Sequence, residues 1–248
     1  MEQPNSERAV ARNNGVKHSS GEYLAFIDSD DIWLPYKLEK QVQALDCNES
    51  VVLSYGQCLR INAKDKDIRT AKRQIQGYSG QVFSRLLFRN FIVSPTPVLR
   101  RKAFERTVGF ETKYIPYEDW EMWIRLSLLG KFHFIKEPLA YYRIHPTQSV
   151  KLTTAKKIED VTTTLLEDSF RLQEVPEDIK KKSLGLANLR FCYWYLIADE
   201  TEKARQKIQK AIELHPAFIF DPRWYGLKLV SMFPNFKGRW IFELEQYH

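Results

Sequence analysis

The sequence predicts an α/β domain followed by a helical C-terminal region. Through residue 150, short apolar runs typical of strands alternate with segments of helical period. From Thr153 onward the strand signals cease and the helical period continues. An acidic cluster, Asp28-Ser29-Asp30-Asp31, follows the first strand-like run, at the end of a strand where open α/β sheets bind ligands. We therefore expect one domain at residues 1–150 and a helical region at residues 151–248.

Composition excludes several classes of protein. The chain has 248 residues, of which 44% are hydrophobic and 28% charged, as in ordinary globular proteins, so disorder of the whole chain is excluded. The three cysteines are scattered, which favours a reducing compartment over a disulfide framework or a thiolate zinc site. No apolar run is long enough to span a membrane, and the N-terminus lacks an apolar signal core. We therefore expect a cytoplasmic protein, with peripheral contact at the inner face of the membrane as a further expectation.

The net charge of +7 is concentrated in one segment. Residues 51–100 contain nine Lys and Arg against two Asp, whereas the remaining residues balance. Such a segment attracts polyanions such as anionic lipid or a phosphorylated substrate, and it is equally explained as a solvated loop. No nucleic-acid-binding signature accompanies the charge, so nucleic acid is not an expected partner.

The elements of the first domain follow in chain order. Residues 22–27 predict a strand buried on both faces. Pro35 suits the first turn of a helix that runs to about Leu45. Residues 51–55 and 57–62 predict two further strands, and residues 81–89 a helix.

The second half of this domain has a comparable pattern. Residues 91–99 look extended, and their two prolines confine them to a sheet edge or a loop. A short helix is expected at 101–107 before Gly109, and an amphipathic helix at 118–129 that stops at Gly130. Residues 132–135 and 139–144 read as extended.

The C-terminal region is predicted to be helical at 155–173, 178–198 and 201–214. Residues 187–216 resemble the second half of a tetratricopeptide helix pair, but a single pair is not an array, so a helical appendage packed on the first domain is expected. The tail at 218–244 is rich in Trp, Phe, Lys and Arg, which fits either ordinary packing or an interfacial membrane segment.

Three local patterns carry chemistry, each with a structural alternative. The Asp28–Asp31 cluster suits Mg²⁺ or Mn²⁺ together with a diphosphate, and it equally suits a helix-capping turn. Asp119 suits a general base, or an acidic residue favourable at a helix N-terminus. Arg143 and His145 share one face of a strand, where they could hold a phosphate or form a surface pair.

The order and spacing of these patterns resemble the family 2 glycosyltransferases, which have the GT-A fold. The resemblance covers about residues 7–150. It is carried by Ala11-Arg12-Asn13-Asn14-Gly15, the run Gly21 to Trp33 around Asp28-Ser29-Asp30-Asp31, Val108-Gly109-Phe110, the run Glu118 to Leu126, and Tyr142-Arg143-Ile144-His145. Each motif is weak alone, but the ordered set is specific.

The resemblance implies a role for each matched residue. Asp28-Ser29-Asp30 matches the DxD motif, so Asp30 would bind a divalent metal, Mn²⁺ or Mg²⁺, and Asp28 would lie near the metal and the donor ribose, with Asp31 in support. The Glu118-Asp119 motif would provide the catalytic residues, Asp119 as the base and Glu118 beside it. The remaining donor-binding residues would be Arg12 or Arg8 near the nucleotide, and Arg143 and His145 near the diphosphate.

The resemblance also implies an activity. The chain would transfer a sugar with inversion from a nucleotide-sugar donor, expected to be a UDP-sugar, to a glycan or lipid-linked acceptor in cell-surface polysaccharide assembly. The first strand–helix–strand unit of the family, which binds uracil and ribose, has no counterpart here, so we expect either a fragment of a longer enzyme or a short form. Without that unit strand 22–27 becomes an exposed apolar edge, which predicts self-association. The alternative is an inactive glycosyltransferase-like chain that acts as a protein-binding module.

Overall fold

The computed structural model describes residues 7–66, 68, 76–145, 148 and 152–220. The chain divides into two compact units, residues 1–86 with 90–148, and residues 87–89 with 149–248. Part of the basic segment, including Arg69, Lys72 and Arg73, and most of the aromatic tail lie outside the described residues.

The first unit alternates helices and strands. Its helices are α1 (Arg8–Lys17), α2 (Lys37–Asp46), α3 (Phe83–Phe88, whose last two residues belong to the second unit), α4 (Arg101–Phe104) and α5 (Glu118–Ser127). Its strands are β1 (Tyr23–Ala25), β2 (Ile32–Trp33), β3 (Val51–Asn62), β4 (Val98–Arg100) and β5 (Lys131–Ile144). A short 3₁₀ helix, Thr112–Tyr114, precedes α5.

The described strands form one mixed sheet in the order β1-β4-β3-β5-β2. The long strands β3 and β5 run parallel at its centre, and the other three pairings are antiparallel. Helix α2 packs against β3, β4 and β5, and Leu45 joins Val51 and Val98 in a buried apolar cluster. Helix α5 buries Met122, Ile124 and other apolar side chains beside β3.

The first predicted strand is shorter and less buried than expected. β1 ends at Ala25, and only Leu24 within it is buried, so the prediction of a strand buried on both faces is wrong. Among the described strands β1 pairs only with β4 and lies at one end of the sheet, and the self-association expected of this edge stays a prediction. Ile27 beyond it is 46% exposed, because the chain turns away from the sheet toward the acidic cluster.

Two pairs of predicted strands are each one continuous strand. Residues 51–62 form β3 and residues 131–144 form β5, although Gly56 and Pro138 read as interruptions in the sequence. The ladder between the two strands shifts register around Gln57, which lies opposite Pro138. The irregularity therefore accommodates a residue without an N–H group, and the strands continue beyond it.

The segment at 91–99 is a loop that ends in a strand. Pro95 and Pro97 precede β4, so the strand keeps every N–H group that its ladders need. β4 consequently lies between β1 and β3, and the prediction of an edge strand is wrong for these residues.

The second unit is helical throughout its described part. It contains α6 (Ala155–Leu172), α7 (Glu177–Ile197), α8 (Thr201–Leu214) and a 3₁₀ helix at Pro216–Phe220. Glu159 of α6 accepts a hydrogen bond of 2.7 Å from the Tyr195 hydroxyl of α7 and pairs with Lys207 of α8. The predicted class, an α/β fold with a mixed sheet followed by a helical region, is confirmed. Within the residues described, no helix is long and apolar enough to cross a bilayer.

Candidate functional site

The acidic cluster forms a turn between β1 and β2. The Asp31 N–H donates to the Asp28 carbonyl at 3.1 Å, which closes the turn. A strand follows this turn and α2 is capped at Tyr36, so the helix-capping interpretation of the cluster is wrong. The side chains of Asp28 and Asp30 are 38% and 39% exposed, which leaves both carboxylates accessible to a ligand.

Asp31 faces inward, unlike its two neighbours. It is 8% exposed, and its Oδ1 accepts a hydrogen bond of 2.9 Å from the Arg143 N–H of β5. Its Oδ2 is buried without a hydrogen-bond partner in the described structure. Burial raises the pKa of Asp31 to about 7, with smaller contributions from the neighbouring Asp30 and Asp28 charges. Asp31 thus fastens the acidic turn to the end of β5.

Arg143 strengthens the same attachment. Its Nε donates to the Asp30 carbonyl at 2.7 Å and its Nη1 donates to the Asn62 carbonyl at 3.0 Å. Nη1 also pairs with Asp65 at 2.6 Å. The guanidinium therefore binds the acidic turn to the end of β3.

His145 lies beside the exposed carboxylate of the turn. Its Nε2 is 2.8 Å from Asp30 Oδ2, and its side chain is 25% exposed. The structure thus brings together two residues that are 115 positions apart in the sequence and that were predicted to serve metal and diphosphate.

Helix α1 supplies two arginines to the site. Arg8 and Arg12 are four residues apart and lie on one face of the helix. Arg12 Nη2 donates to Asp28 Oδ1 at 2.8 Å, and its Nη1 donates to Glu118 Oε1 at 3.0 Å. Arg8 Nη2 donates to Glu118 Oε2 at 3.0 Å, and Arg8 Nε pairs with Glu118 Oε1. Glu118 is 1% exposed, so both of its oxygens are engaged inside the protein.

Asp119 lies in the first turn of α5, next to Glu118, and is half-buried. Its Oδ1 accepts a hydrogen bond of 2.6 Å from the Trp120 N–H, and an acidic residue here also suits the helix dipole. The pKa of Asp119 is raised to about 6, chiefly by burial and next by the Glu118 charge, while Arg12 and Arg8 oppose the rise. A carboxylate with this pKa is ionised at neutral pH and is a better base than an exposed aspartate.

The Ala11–Gly15 motif and the Val108-Gly109-Phe110 motif are joined by hydrogen bonds. Asn13 Nδ2 donates to the Phe110 carbonyl at 2.8 Å, and the Phe110 N–H donates to Asn13 Oδ1 at 2.9 Å. Gly109 adopts a φ of +78° so that the chain can present both groups. This pair holds α1 against the segment that leads to α5, and so places the arginines.

One polar residue of the site, Ser94, is not predicted by the sequence to act in it. Ser94 accepts a hydrogen bond of 3.3 Å from Arg12 Nη2, and its own hydroxyl lies 3.5 Å from Asp28 Oδ2. Nothing in the proline-rich loop around Ser94 indicates this contact in the sequence.

Tyr142 belongs to the Tyr142-Arg143-Ile144-His145 motif, which by itself predicts no role for the tyrosine. Burial raises its pKa to about 12, and the charges of Asp31, Asp119, Asp28 and Asp30 act in the same direction. Its phenol is therefore within electrostatic reach of all four carboxylates, which supports their convergence on one site.

The donor set suits a divalent cation that is shared with a substrate. Magnesium is usually held by one or two carboxylates plus substrate phosphates, and Asp30, Asp28 and His145 provide exposed oxygen and nitrogen donors. No group of three or more His, Cys, Asp or Glu side chains in the described part of the chain is arranged to hold a metal by itself. These residues fit a metal only as a site that phosphate oxygens would complete.

The sequence model of the family described as Glycosyl transferase family 2 matches residues 1–108. Residues 1–108 belong to glycosyl transferase family 2. This match, the mixed sheet and the helical C-terminal region together confirm the GT-A-like fold class that the sequence predicts. The match includes α1 and the acidic turn, whereas Asp119, Arg143 and His145 lie beyond it.

Several glycosyltransferases are similar to the chain. An uncharacterized glycosyltransferase of Methanocaldococcus jannaschii is 29% identical over 155 residues, which cover 62% of this chain and 52% of that protein. An uncharacterized glycosyltransferase of Nostoc sp. is 31% identical over 151 residues, covering 58% of this chain and 46% of that protein. The amylovoran biosynthesis glycosyltransferase AmsB of Erwinia amylovora is 29% identical over 156 residues, with coverages of 58% and 51%. The chain thus spans about half the length of these three curated relatives.

Proposed function

We propose that the chain takes part in the transfer of a sugar from a nucleoside diphosphate sugar, most readily a UDP-sugar, to a hydroxyl group of a glycan or lipid-linked acceptor. The observation that supports this is the convergence of an exposed acidic turn, a half-buried aspartate of raised pKa and a histidine in one compact unit, and residues 1–108 of the chain match the family 2 model. The amylovoran biosynthesis glycosyltransferase among the relatives supports a role in the assembly of a cell-surface polysaccharide.

Asp119 is the proposed general base. Because the pKa of Asp119 is about 6, its carboxylate is mostly ionised at pH 7 and can accept the proton of an acceptor hydroxyl. The hydroxyl oxygen then forms a bond to the anomeric carbon as the bond from that carbon to the diphosphate oxygen breaks. The electron pair leaves with the diphosphate, and attack from the opposite face inverts the anomeric configuration.

Asp30 and His145 are the proposed holders of a divalent cation, with Asp28 beside them toward the donor ribose. Such a cation would stabilise the negative charge of the departing diphosphate. Asp31 and Arg143 keep the turn in place for this purpose, because both are bonded to its backbone or to the end of β5.

Turnover by the full chain tests this proposal. UDP release is measured with a panel of UDP-sugars and Mn²⁺ for the unaltered chain and for D30N and D119N. The matched control is D160N, which changes an exposed aspartate of α6. We expect D30N and D119N to lose at least about a hundredfold in turnover, and D160N to retain it.

Measurement of UDP binding distinguishes the proposed role of Asp30 from that of Asp119. A ligand at about 100 times its dissociation constant adds roughly 2.7 kcal/mol of stability, so UDP with Mn²⁺ should raise the melting temperature of the unaltered chain and of D119N, but not of D30N. Wild-type turnover in both D30N and D119N would contradict the assigned roles. A folded chain that neither binds UDP nor turns over any donor would instead favour the protein-binding alternative.

A further inference from the structure

The Arg12 guanidinium is committed to protein groups on three segments. Its side chain is 10% exposed. One terminal nitrogen, Nη2, contacts Asp28 Oδ1 and Ser94 Oγ, and the other, Nη1, contacts Glu118 Oε1. The Phe110 ring lies 5.5 Å from its Cζ on a further side. A donor contact of the kind that the family resemblance implies for Arg12 would therefore require these bonds to break.

Glu118 is equally committed. Its two oxygens accept from Arg8 and Arg12 in a nearly solvent-free position. Buried charges of opposite sign with this many hydrogen bonds are costly to separate, because the remaining charge would lack a partner. Glu118 consequently reads as the anchor of the first turn of α5, and Asp119 is the adjacent residue whose position it determines.

The link that Arg12 makes between Asp28 and Glu118 also has a geometry that only arginine provides. A guanidinium presents donors in a planar fork and can satisfy two carboxylates on different sides, whereas a lysine ammonium is a compact point charge. The two bonds of 2.8 and 3.0 Å join Asp28 of the acidic turn to Glu118 of α5 through one rigid group.

We infer that Arg12 is a positioning residue of the active site, one that holds Asp119 at a set distance from the acidic turn by bonding Asp28 and Glu118 with one guanidinium. This inference rests on the proposed function and deepens it. In this role Arg12 aligns the base that takes the acceptor proton with the turn that receives the donor. Arg12 also contributes positive charge near Asp119, together with Arg8.

The test compares R12K, which keeps the charge but not the fork, with R12Q, which removes the charge. The matched variant is R8K, since Arg8 makes its hydrogen bonds to Glu118 and to the Pro116 carbonyl. The distant control is R171K, an exposed arginine of α6 that pairs with Asp168. UDP affinity in the presence of Mn²⁺ is measured by calorimetry, and turnover is measured as kcat and KM.

We expect R12K to lose about tenfold to a hundredfold in kcat, because a small misplacement of the base costs that much, while UDP affinity stays at the wild-type value. R8K should lose less in kcat than R12K, and R171K should match the unaltered chain. The opposite split, weaker UDP binding with kcat preserved in R12K, would make Arg12 a donor-contact residue and overturn the inference.

A second measurement is independent of turnover. Titration of ¹³C-labelled aspartate, assigned with D119N, gives the pKa of Asp119, which faces Glu118, Arg8, Arg12, the Trp120 N–H and the Tyr142 phenol. The pKa should rise by about one unit in R12Q and by less in R12K. An Asp119 titration unchanged in whichever of these variants folds would overturn the inference. If the unaltered chain turns over no donor, the proposed function fails, and this titration still decides whether Arg12 bears on Asp119.

Discussion

Replacement of Gly109 by alanine should disrupt the link between α1 and the segment before α5. Gly109 has a φ of +78°, a conformation that side chains with a Cβ rarely adopt. A Cβ built at this position would meet Asn13 Oδ1 at 2.7 Å and Asn13 Cγ at 3.2 Å. Asn13 cannot move aside freely, because its amide makes both hydrogen bonds to the Phe110 backbone.

The size of the effect follows from these contacts. The left-handed conformation costs alanine about 1–2 kcal/mol, and each hydrogen bond that Asn13 loses costs about 1 kcal/mol. We therefore expect G109A to lower the free energy of unfolding by about 2–4 kcal/mol in total. Urea unfolding followed by tryptophan fluorescence measures this difference, since Trp120 and Trp123 of α5 are buried nearby.

The control is the same substitution at a glycine with open space. Gly15 lies in α1, where an added Cβ meets no atom within 4 Å, so G15A should stabilise the chain by about 0.5–1 kcal/mol. In an N13A background, G109A should cost only the conformational part, about 1–2 kcal/mol. The reasoning is refuted if G109A behaves like G15A, or if its full cost persists when Asn13 is absent.

Two further predictions concern buried and exposed reactive groups. Lys37 is fully buried, its Nζ has no hydrogen-bond partner among the described residues, and burial lowers its pKa to about 7, although it lies 4.3 Å from the Trp33 ring. Because the unfolded chain has the ordinary, higher pKa, this group destabilises the fold fully below pH 7 and progressively less toward pH 10.5. K37M should therefore be more stable than the unaltered chain by about 1–3 kcal/mol at pH 6–7, and it should melt at a higher temperature. K37M should also lack the gain in stability that the unaltered chain shows between pH 7 and 10. The control is K40M, which replaces a partly exposed lysine. Among the thiols, Cys47 is exposed, whereas Cys58 and Cys192 are buried with raised pKa values. Iodoacetamide at pH 8 should thus add one group to the native chain, at Cys47, and alkylation of Cys58 before unfolding, detected by peptide mass, would contradict this packing.

The elements that sequence analysis located correctly are those that bury an apolar face. Helix α5 buries Trp120, Met122, Trp123, Ile124 and Leu126, and this period is visible in the sequence. Helix α1 was not predicted, because it buries only Ala9 and Val16 and most of its other residues are polar. It is held instead by the side-chain bonds of Arg8, Arg12 and Asn13 to residues about 100 positions away.

Breaks in a strand were harder to predict than strands. Glycine and proline commonly mark turns, so the sequence predicts two strands around Gly56 and two around Pro138, where the structure has one strand in each case. A Cβ on Gly56 would meet the Leu139 side chain at 2.5 Å, so the glycine permits close approach of β3 and β5 and does not end a strand. Leu139, the neighbour that requires a glycine at this position, is 83 residues away, so the local sequence pattern does not indicate the contact.

Distant partners also limit what the sequence can predict about the charged residues of the site. Sequence reasoning identifies an arginine as a charge available to a ligand, because its partner lies far along the chain. In the structure, Arg143 is bonded to Asp30, Asn62 and Asp65, and Arg12 to Asp28 and Glu118. The site residues whose charged groups are accessible are then Asp28, Asp30 and His145. Asp119 is half-buried next to Glu118, which is bonded to the arginines. The arginines of these motifs are thus explained by the order they impose on the carboxylates, and a ligand would meet the carboxylates and the histidine first.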